Sequence, residues 1–532
     1  MINLKETYIY APKLKRRKIL DVKLRDIPHP NRKSGYLKVR FFIKILNIFS
    51  LSNFDELGNE DSVTFAQMHE EVRQYAAAFR KHGLGIGDRV ACIMSNRKEA
   101  IFAMLAATSI GAIWSGPLPF HGVRAVANLI TFVDPKIIFA VDHFQDEGEE
   151  YPLFDKIVSA AKSAPNATTV VVLPTQPDTL PRLSEIPKSI LLEDFLKSGR
   201  TPDGEVPELK FEQLPFDHPV AINFTSGTTG LPKGVLHSAG TFMCVLRDFG
   251  MHLNLKNGDT VYTYCPVGWS VWDNPIPALA LGVKLFLFCG SPEYDKKGFT
   301  LWDCFSKYKI TYACLTPACF DSIENNNIFP EPGMNFDSLK IIALGASPSK
   351  IRNFEFFHKY VKKDLFVSSI YGVWSQNDEG WINPKTKGIV VIGRSDDTLK
   401  QNGERFCAGD VYFGIDRMEE LEDFICVGQR RWDGDMRAVL FVKVKKGYTF
   451  NENLRTKIED AIKSEVSDDY IPKLILGVPD IPYNLNHKRM ESTVRKIIAT
   501  NEIPEVSNIK NRESLQYFID IPEVVNYIKK EL

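Results

Sequence analysis

The chain of 532 residues has no uninterrupted run of about eighteen apolar residues, the minimum for a bilayer-spanning helix. The nearest approach, Phe41 to Phe49, is broken by Lys44 and Asn47. A transmembrane segment is therefore not expected. Nine cysteines include no Cys-x-x-Cys pair, and the tightest spacing, Cys314 to Cys319, has no His or Cys cluster beside it. Neither a zinc site nor a disulfide framework is indicated, and a reducing compartment, the cytosol, is the simplest setting. None of the ten histidines has metal-ligand spacing, so no metal-binding residue is expected among them. The basic residues near the N-terminus are not followed by a secretory apolar segment. Net charge is also lacking: 66 Lys and Arg balance 66 Asp and Glu, which argues against general nucleic-acid binding.

What is present is ordinary bulk and one uneven end. Hydrophobic residues make up 44% and charged residues 25%, as in a soluble globular protein, and the length implies two or more domains. Residues 1–55 hold 13 Lys and Arg against 4 Asp and Glu, a net of +9, so the remainder carries −9. Lys13-Leu-Lys-Arg-Arg-Lys18 is basic, and Phe41–Phe49 has neither helical nor alternating period. Residues 1–55 are expected to be an atypical, poorly ordered basic leader. A nuclear-localisation or membrane-surface role is the alternative.

From about Glu56 the pattern is regular. Arg89–Met94 reads as a strand, and Lys98–Ile110 as a helix ended by Gly111. Short apolar runs follow at Ile137–Val141, Thr169–Leu173, Val220–Phe224, Lys284–Phe288, Thr311–Leu315 and Ile341–Leu344. Their alternation with helix-length segments implies an α/β fold, a large multi-layer domain with mostly parallel sheets. After Gly393 a charged, Gly-punctuated stretch leads into a smaller α+β pattern. Strands are expected at Phe424–Val427 and Ala438–Val444, helices at Asn453–Lys463 and Glu491–Ile498. The boundaries implied are 56–393 for the large domain and 394–532 for a small mobile one.

The chemistry begins at Asn223-Phe-Thr-Ser-Gly-Thr-Thr-Gly-Leu-Pro-Lys-Gly-Val235. Thr225, Ser226, Gly227, Thr228, Thr229 and Gly230 can wrap anionic oxygens with backbone N–H groups and hydroxyls, and Lys233 adds a charge. The spacing is not that of a Walker loop, because Pro232 stands five residues after Gly227. By composition alone this is equally a polar surface turn.

The full string resembles the signature loop of the AMP-forming adenylate synthetases, a superfamily that includes acyl-CoA synthetases. Within it, Pro266-Val-Gly-Trp-Ser-Val-Trp-Asp-Asn274, Phe288-Cys-Gly-Ser-Pro292, Leu301-Trp-Asp303, Ile382–Gly388, Ile481–Asn486 and Glu513-Ser-Leu515 resemble the acetoacetyl-CoA synthetase branch. The matches run from roughly residue 62 to 522. The resemblance implies a phosphate role for Thr225–Lys233 and adenine contact by Ala346, Ser347 and Pro348. It further implies a ribose contact at Asp378, nucleotide contacts at Arg394 and Arg405, and a hinge at Asp396. Lys488 matches the catalytic lysine, although His487 stands where the family has Gly. Trp269, Ser270 and Val271 match acyl-pocket positions; core packing is the alternative for Trp269 and Trp272.

The chain departs from the pattern at Ser369-Ile-Tyr-Gly-Val-Trp-Ser-Gln-Asn-Asp378. Several tens of residues that the branch carries after about Val373 are missing, and with them the acidic residue that helps organise Mg²⁺. The 56–393 domain is thus expected to be internally truncated. The implied activity is ATP-dependent adenylation of acetoacetate followed by transfer to CoA, with ATP, CoA and Mg²⁺ as cofactors. The alternatives are another short-chain acid as substrate, or an impaired form that only binds its ligands.

Overall fold

The structure is a computed structural model. It describes residues 49–528 except 57, 226–232, 294–298, 346–348, 350, 371–377, 383–388, 395–397, 402–403, 432–435, 467 and 486, and at some other positions only the backbone. Two seven-stranded sheets dominate. The first has the order Phe366–Ser369, Ile341–Leu344, Tyr312–Leu315, Thr260–Thr263, Lys284–Cys289, Phe49–Asp55, Glu60–Thr64. The second has the order Lys233–Ser238, Pro219–Thr225, Ile113–Ser115, Arg89–Ile93, Ile137–Val141, Thr169–Leu173, Ser189–Leu191. In each, one edge strand is antiparallel and every other pairing is parallel. The continuous apolar runs are what parallel strands covered on both faces require. Strands Arg89–Ile93, Ile137–Val141 and Ile341–Leu344 are buried almost throughout.

One apolar core joins strands of both sheets, from Val90 and Ile138 to Val261 and Leu285. Helix Lys98–Ser109 lies within it. Its Ala100, Ala103, Ala106 and Ala107 are all buried, and such small side chains suit a helix covered on most sides. The helix ends at Ile110, and Gly111 follows with φ of +82°, a conformation that glycine takes without strain. Helix Phe65–Lys81 starts at a capping box in which Thr64 and Gln67 bond each other's backbone.

The leader expected over 1–55 is corrected for its last seven residues; residues 1–48 lie outside the described ones. Phe49–Asp55 is an interior strand of the first sheet, between Lys284–Cys289 and Glu60–Thr64. Leu51 is fully buried on one core and Phe54 belongs to another. The two buried serines of the strand are satisfied in place: Ser50 Oγ donates to the Val63 carbonyl at 3.0 Å, and Ser52 Oγ lies 3.0 Å from Ser62 Oγ.

Beyond residue 398 comes the smaller α+β unit. Leu421–Arg430 pairs antiparallel with Met436–Val444, which pairs parallel with Leu474–Gly477. Helices Ala408–Ile415 and Glu452–Glu465 contribute to one face and Glu491–Thr500 to the other. The period-two rule is visible here: Phe424, Cys426, Leu440 and Val442 face one core, Ile425, Val427, Val439 and Phe441 the other. The expected strands and helices of this region are present, each longer than the sequence implied, the strand Leu421–Arg430 by more than twofold.

Candidate functional site

Strand Pro219–Thr225 enters the site parallel to Ile113–Ser115, and Ser115 Oγ donates to the Ile222 carbonyl at 2.8 Å. Its other neighbour is Lys233–Ser238, with Thr225 opposite Lys233 in register. The glycine-rich segment is thus the connection of an antiparallel hairpin at the C-terminal end of a parallel strand, where such sheets present ligand loops. Thr225 and Lys233 are described by backbone alone. Ser226, Gly227, Thr228, Thr229 and Gly230 lie outside the described residues.

Two glycines bring the expected acyl-pocket segment onto this hairpin's neighbour. Gly268 has φ of +94°, and a Cβ there would sit 2.8 Å from the Gly116 carbonyl oxygen and 3.0 Å from that of Pro117. Only a residue without a side chain permits this approach. A Cβ on Gly116 would in turn meet the Cys92 carbonyl oxygen at 2.1 Å. The turn then runs into the short helix Ser270–Asp273. Trp269, Ser270 and Val271 are half-buried, with Trp269 and Val271 against the main core. Trp272 is a core residue: it stacks on Trp114 with ring centroids 6.4 Å apart and donates from Nε1 to Asn96 Oδ1 at 2.9 Å.

The helix also carries Asp273, which accepts a hydrogen bond from Asn223 Nδ2 at 2.7 Å. Asn223 and Asp273 are 5% and 2% exposed, so the pair ties the base of the glycine-rich hairpin to the helix Ser270–Asp273 inside the protein. Burial pushes the Asp273 carboxyl up to about 7, against the opposing effect of the Asn223 bond. Its Oδ1 has no partner among the described residues. A cavity of about 10 Å³ is lined by Asn223, His237, Thr241, Ser270, Asp273 and Asn274, among others.

Lys488 stands in a tight turn of the smaller unit. Its backbone N–H donates to Asn484 Oδ1 at 3.0 Å, and its carbonyl accepts from the Asn484 N–H at 2.9 Å. His487 has φ of +54°, the left-handed region in which glycine is most at ease, so a histidine holds the position where the family has Gly. Burial and then the charge of Lys510 bring the His487 imidazole down to about 4, so it is neutral at pH 7. Arg489 anchors the turn through Asp423, and Tyr483 Oη donates to the other oxygen of that carboxylate at 2.8 Å.

The remaining expected residues divide in two. Asp378 and Arg394 are opposite each other in the antiparallel pair of Asp378–Ile382 with Ile389–Arg394, so the backbone brings the two nucleotide candidates together. Arg405 pairs with Lys400 in a separate hairpin. These three are described by backbone alone. Ala346, Ser347, Pro348 and the hinge residue Asp396 lie outside the described residues, as does the junction at 371–377. Asn223 and Asp273 received no role from the sequence. The available signal was a polar residue at the end of an apolar strand and an acid directly after Trp272.

A family profile described as AMP-binding enzyme matches residues 49–373. The acetoacetyl-CoA synthetase of Gallus gallus is 33% identical over 548 aligned positions, which cover 87% of this chain and 82% of that protein. The acetoacetyl-coenzyme A synthetase of Rhizobium meliloti (strain 1021) is 28% identical, covering 87% and 83%. Among solved structures, acetoacetyl-CoA synthetase from Streptomyces lividans superposes with a TM-score of 0.76 at 22% identity, covering 88% of this chain and 83% of that one. That likeness is one of fold.

Proposed function

The chain belongs to the AMP-binding enzyme family, and from that premise we propose that it joins acetoacetate to coenzyme A at the expense of ATP. The observation that carries this reading is identity of about one third, sustained over 87% of the chain, to proteins named for that reaction. In the first step a carboxylate oxygen bonds the α-phosphorus of ATP, and the bond from that phosphorus to the bridging oxygen breaks, releasing pyrophosphate. In the second, the CoA sulfur bonds the acyl carbon, the thiol proton is lost and AMP leaves.

The residues present suit these roles. The 226–232 connection and Lys233 would receive the phosphates, Arg394 and Arg405 the nucleotide, and Asp378 the ribose. Ala346, Ser347 and Pro348 would contact adenine, while Trp269, Ser270 and Val271 border the acid. Lys488 would hold the developing charge during adenylation, and rotation about Asp396 would replace it with a CoA channel. Mg²⁺ would accompany the nucleotide. Among the described residues no three His, Cys, Asp or Glu are arranged to hold a metal ion. The proposed domains are 56–393, extended by the strand Phe49–Asp55, and 394–532. The proposed setting is the cytosol, supported by the free thiols of the eight described cysteines, most of them buried. Among the described residues no helix is long and apolar enough to cross a membrane.

A second reading, a form that binds its ligands but turns over poorly, is favoured by one feature. The alignment with the Gallus gallus protein spans 548 positions, more than this whole chain, yet uses only 87% of it. Positions are therefore skipped, and the family match stops at 373, where the missing segment is proposed. ATP–pyrophosphate exchange and CoA-thioester formation, each with acetoacetate, acetate and butyrate, test both readings. Thioester formed fastest from acetoacetate supports the first. Equal rates for the three acids would remove acetoacetate as the preferred substrate. Nucleotide binding without either activity, restored by inserting the missing segment, would establish the second.

A further inference from the structure

Asp273 has one carboxyl oxygen held and the other bare. Asn223 Nδ2 occupies Oδ2 at 2.7 Å, while Oδ1 is buried without a partner among the described residues. A bare buried carboxyl oxygen, whether ionised or protonated, is costly to keep, so it points to a ligand group or a water. Asp273 lines the same cavity as Ser270, a residue expected to border the acid, and its volume of about 10 Å³ admits one water-sized group. A single carbonyl oxygen fits that space, whereas a whole acid does not.

We propose that Asp273 is a specificity-determining residue whose Oδ1–H donates a hydrogen bond to the oxo oxygen in the tail of a short 3-oxo acid, with Asn223 holding Oδ2 in place. The inference rests on the reading of acetoacetate as substrate and adds to it the group that tells acetoacetate from butyrate. A donor is required, because a carbonyl oxygen only accepts, and a carboxyl group supplies one only when protonated. Burial favours that form by pushing the carboxyl up to about 7. The titratable groups around it do not oppose this. Burial lowers the basicity of His237, which lines the cavity, and keeps the thiols of Cys92 and Cys265 neutral. An apolar wall would separate the two acids poorly, whereas a placed hydrogen bond separates them well.

The test is ATP–pyrophosphate exchange with acetoacetate and with butyrate at pH 6 and pH 8, with kcat and KM resolved for each acid. Three proteins are compared: wild type, Asp273→Asn, and the paired variant Asn223→Leu with Asp273→Leu, the last checked for folding by thermal melting. The wild type should prefer acetoacetate at pH 6 and lose roughly tenfold of that preference at pH 8 as the carboxyl ionises. Asp273→Asn keeps an N–H donor that does not titrate, so its preference should hold at both pH values. The paired variant should lose the preference, mainly through KM. A folded paired variant that still prefers acetoacetate overturns the inference, because the cavity then holds a structural water only. If that variant does not fold, Asp273→Asn decides alone: a preference that still falls between pH 6 and pH 8 overturns the inference. A wild type that exchanges with short acids but does not favour acetoacetate overturns both the substrate reading and this inference. Wild type that exchanges with no acid overturns the enzymatic reading itself.

Discussion

Arg489 donates to a single oxygen of Asp423 from both Nε, at 3.0 Å, and Nη2, at 2.6 Å. The two side chains are only 14% and 13% exposed, and the guanidinium also lies over the rings of Tyr412 and Phe424. This pair fixes the residue next to Lys488. Replacing Arg489 by Met alone takes the charge partner from a buried carboxylate, leaving it the Tyr483 hydroxyl and the Phe424 N–H, and should cost about 3 kcal/mol of stability in the C-terminal unit. The double variant Arg489→Met with Asp423→Leu should recover a substantial part of that loss. Urea denaturation of the full chain, followed through the unit's own transition, measures both.

Lys488 itself should matter for one half-reaction. Lys488→Met is expected to lower ATP–pyrophosphate exchange by about two orders of magnitude, equivalent to about 3 kcal/mol. Thioester formation from pre-formed acyl-adenylate should fall far less if the lysine acts, as proposed, on the first transition state. Single-turnover assays of the two steps separate these outcomes.

Asp142 predicts an acid limit to stability. Burial pushes its carboxyl up, but bonds from the Thr175 and Thr179 hydroxyls and from the Thr175 and Gln176 backbone outweigh that, and the net result is a lowered value. Its folded value lies below the ordinary 3.8, so its contribution is full above that pH and is lost as pH falls through the folded value. Asp142→Asn should therefore cost about 2 kcal/mol at pH 6. The gap between variant and wild type should narrow below pH ~3.8. Denaturation midpoints at the two pH values report it.

Gly268→Ala tests the close approach that places the helix Ser270–Asp273, the proposed border of the acid. The positive φ and the short contacts to Gly116 and Pro117 together should cost about 2 kcal/mol. The displaced turn should raise the KM for the acid more than the KM for ATP, measured in the exchange assay.

The parallel strands were legible because apolar runs such as Ile137–Val141 have no polar face to confuse, and both sheets bury them. The strands at Leu421–Arg430 and Met436–Val444 were legible for the complementary reason that a helix-covered sheet still divides its side chains between two cores. Phe49–Asp55 was not legible. Ser50, Ser52 and Asn53 interrupt its apolar pattern, and a register irregularity between Phe49 and Leu51 disturbs the alternation. The phosphate hairpin was visible through its glycines and hydroxyls. The Asn223–Asp273 pair was not, because its partners lie 50 positions apart and only the fold brings them together.

The strand Phe49–Asp55 also orders events during synthesis. Its antiparallel partner, Glu60–Thr64, leaves the ribosome almost at once, but the parallel partner is Lys284–Cys289, with Leu51 opposite Leu285. Until more than half the chain exists, one side of this strand is an open backbone edge able to recruit another chain. Leu421–Arg430 and Met436–Val444, by contrast, are adjacent in sequence and can pair as soon as they emerge. The late step thus belongs to the first sheet alone: the second, whose strands all lie between Arg89 and Ser238, can close before Lys284–Cys289 is made.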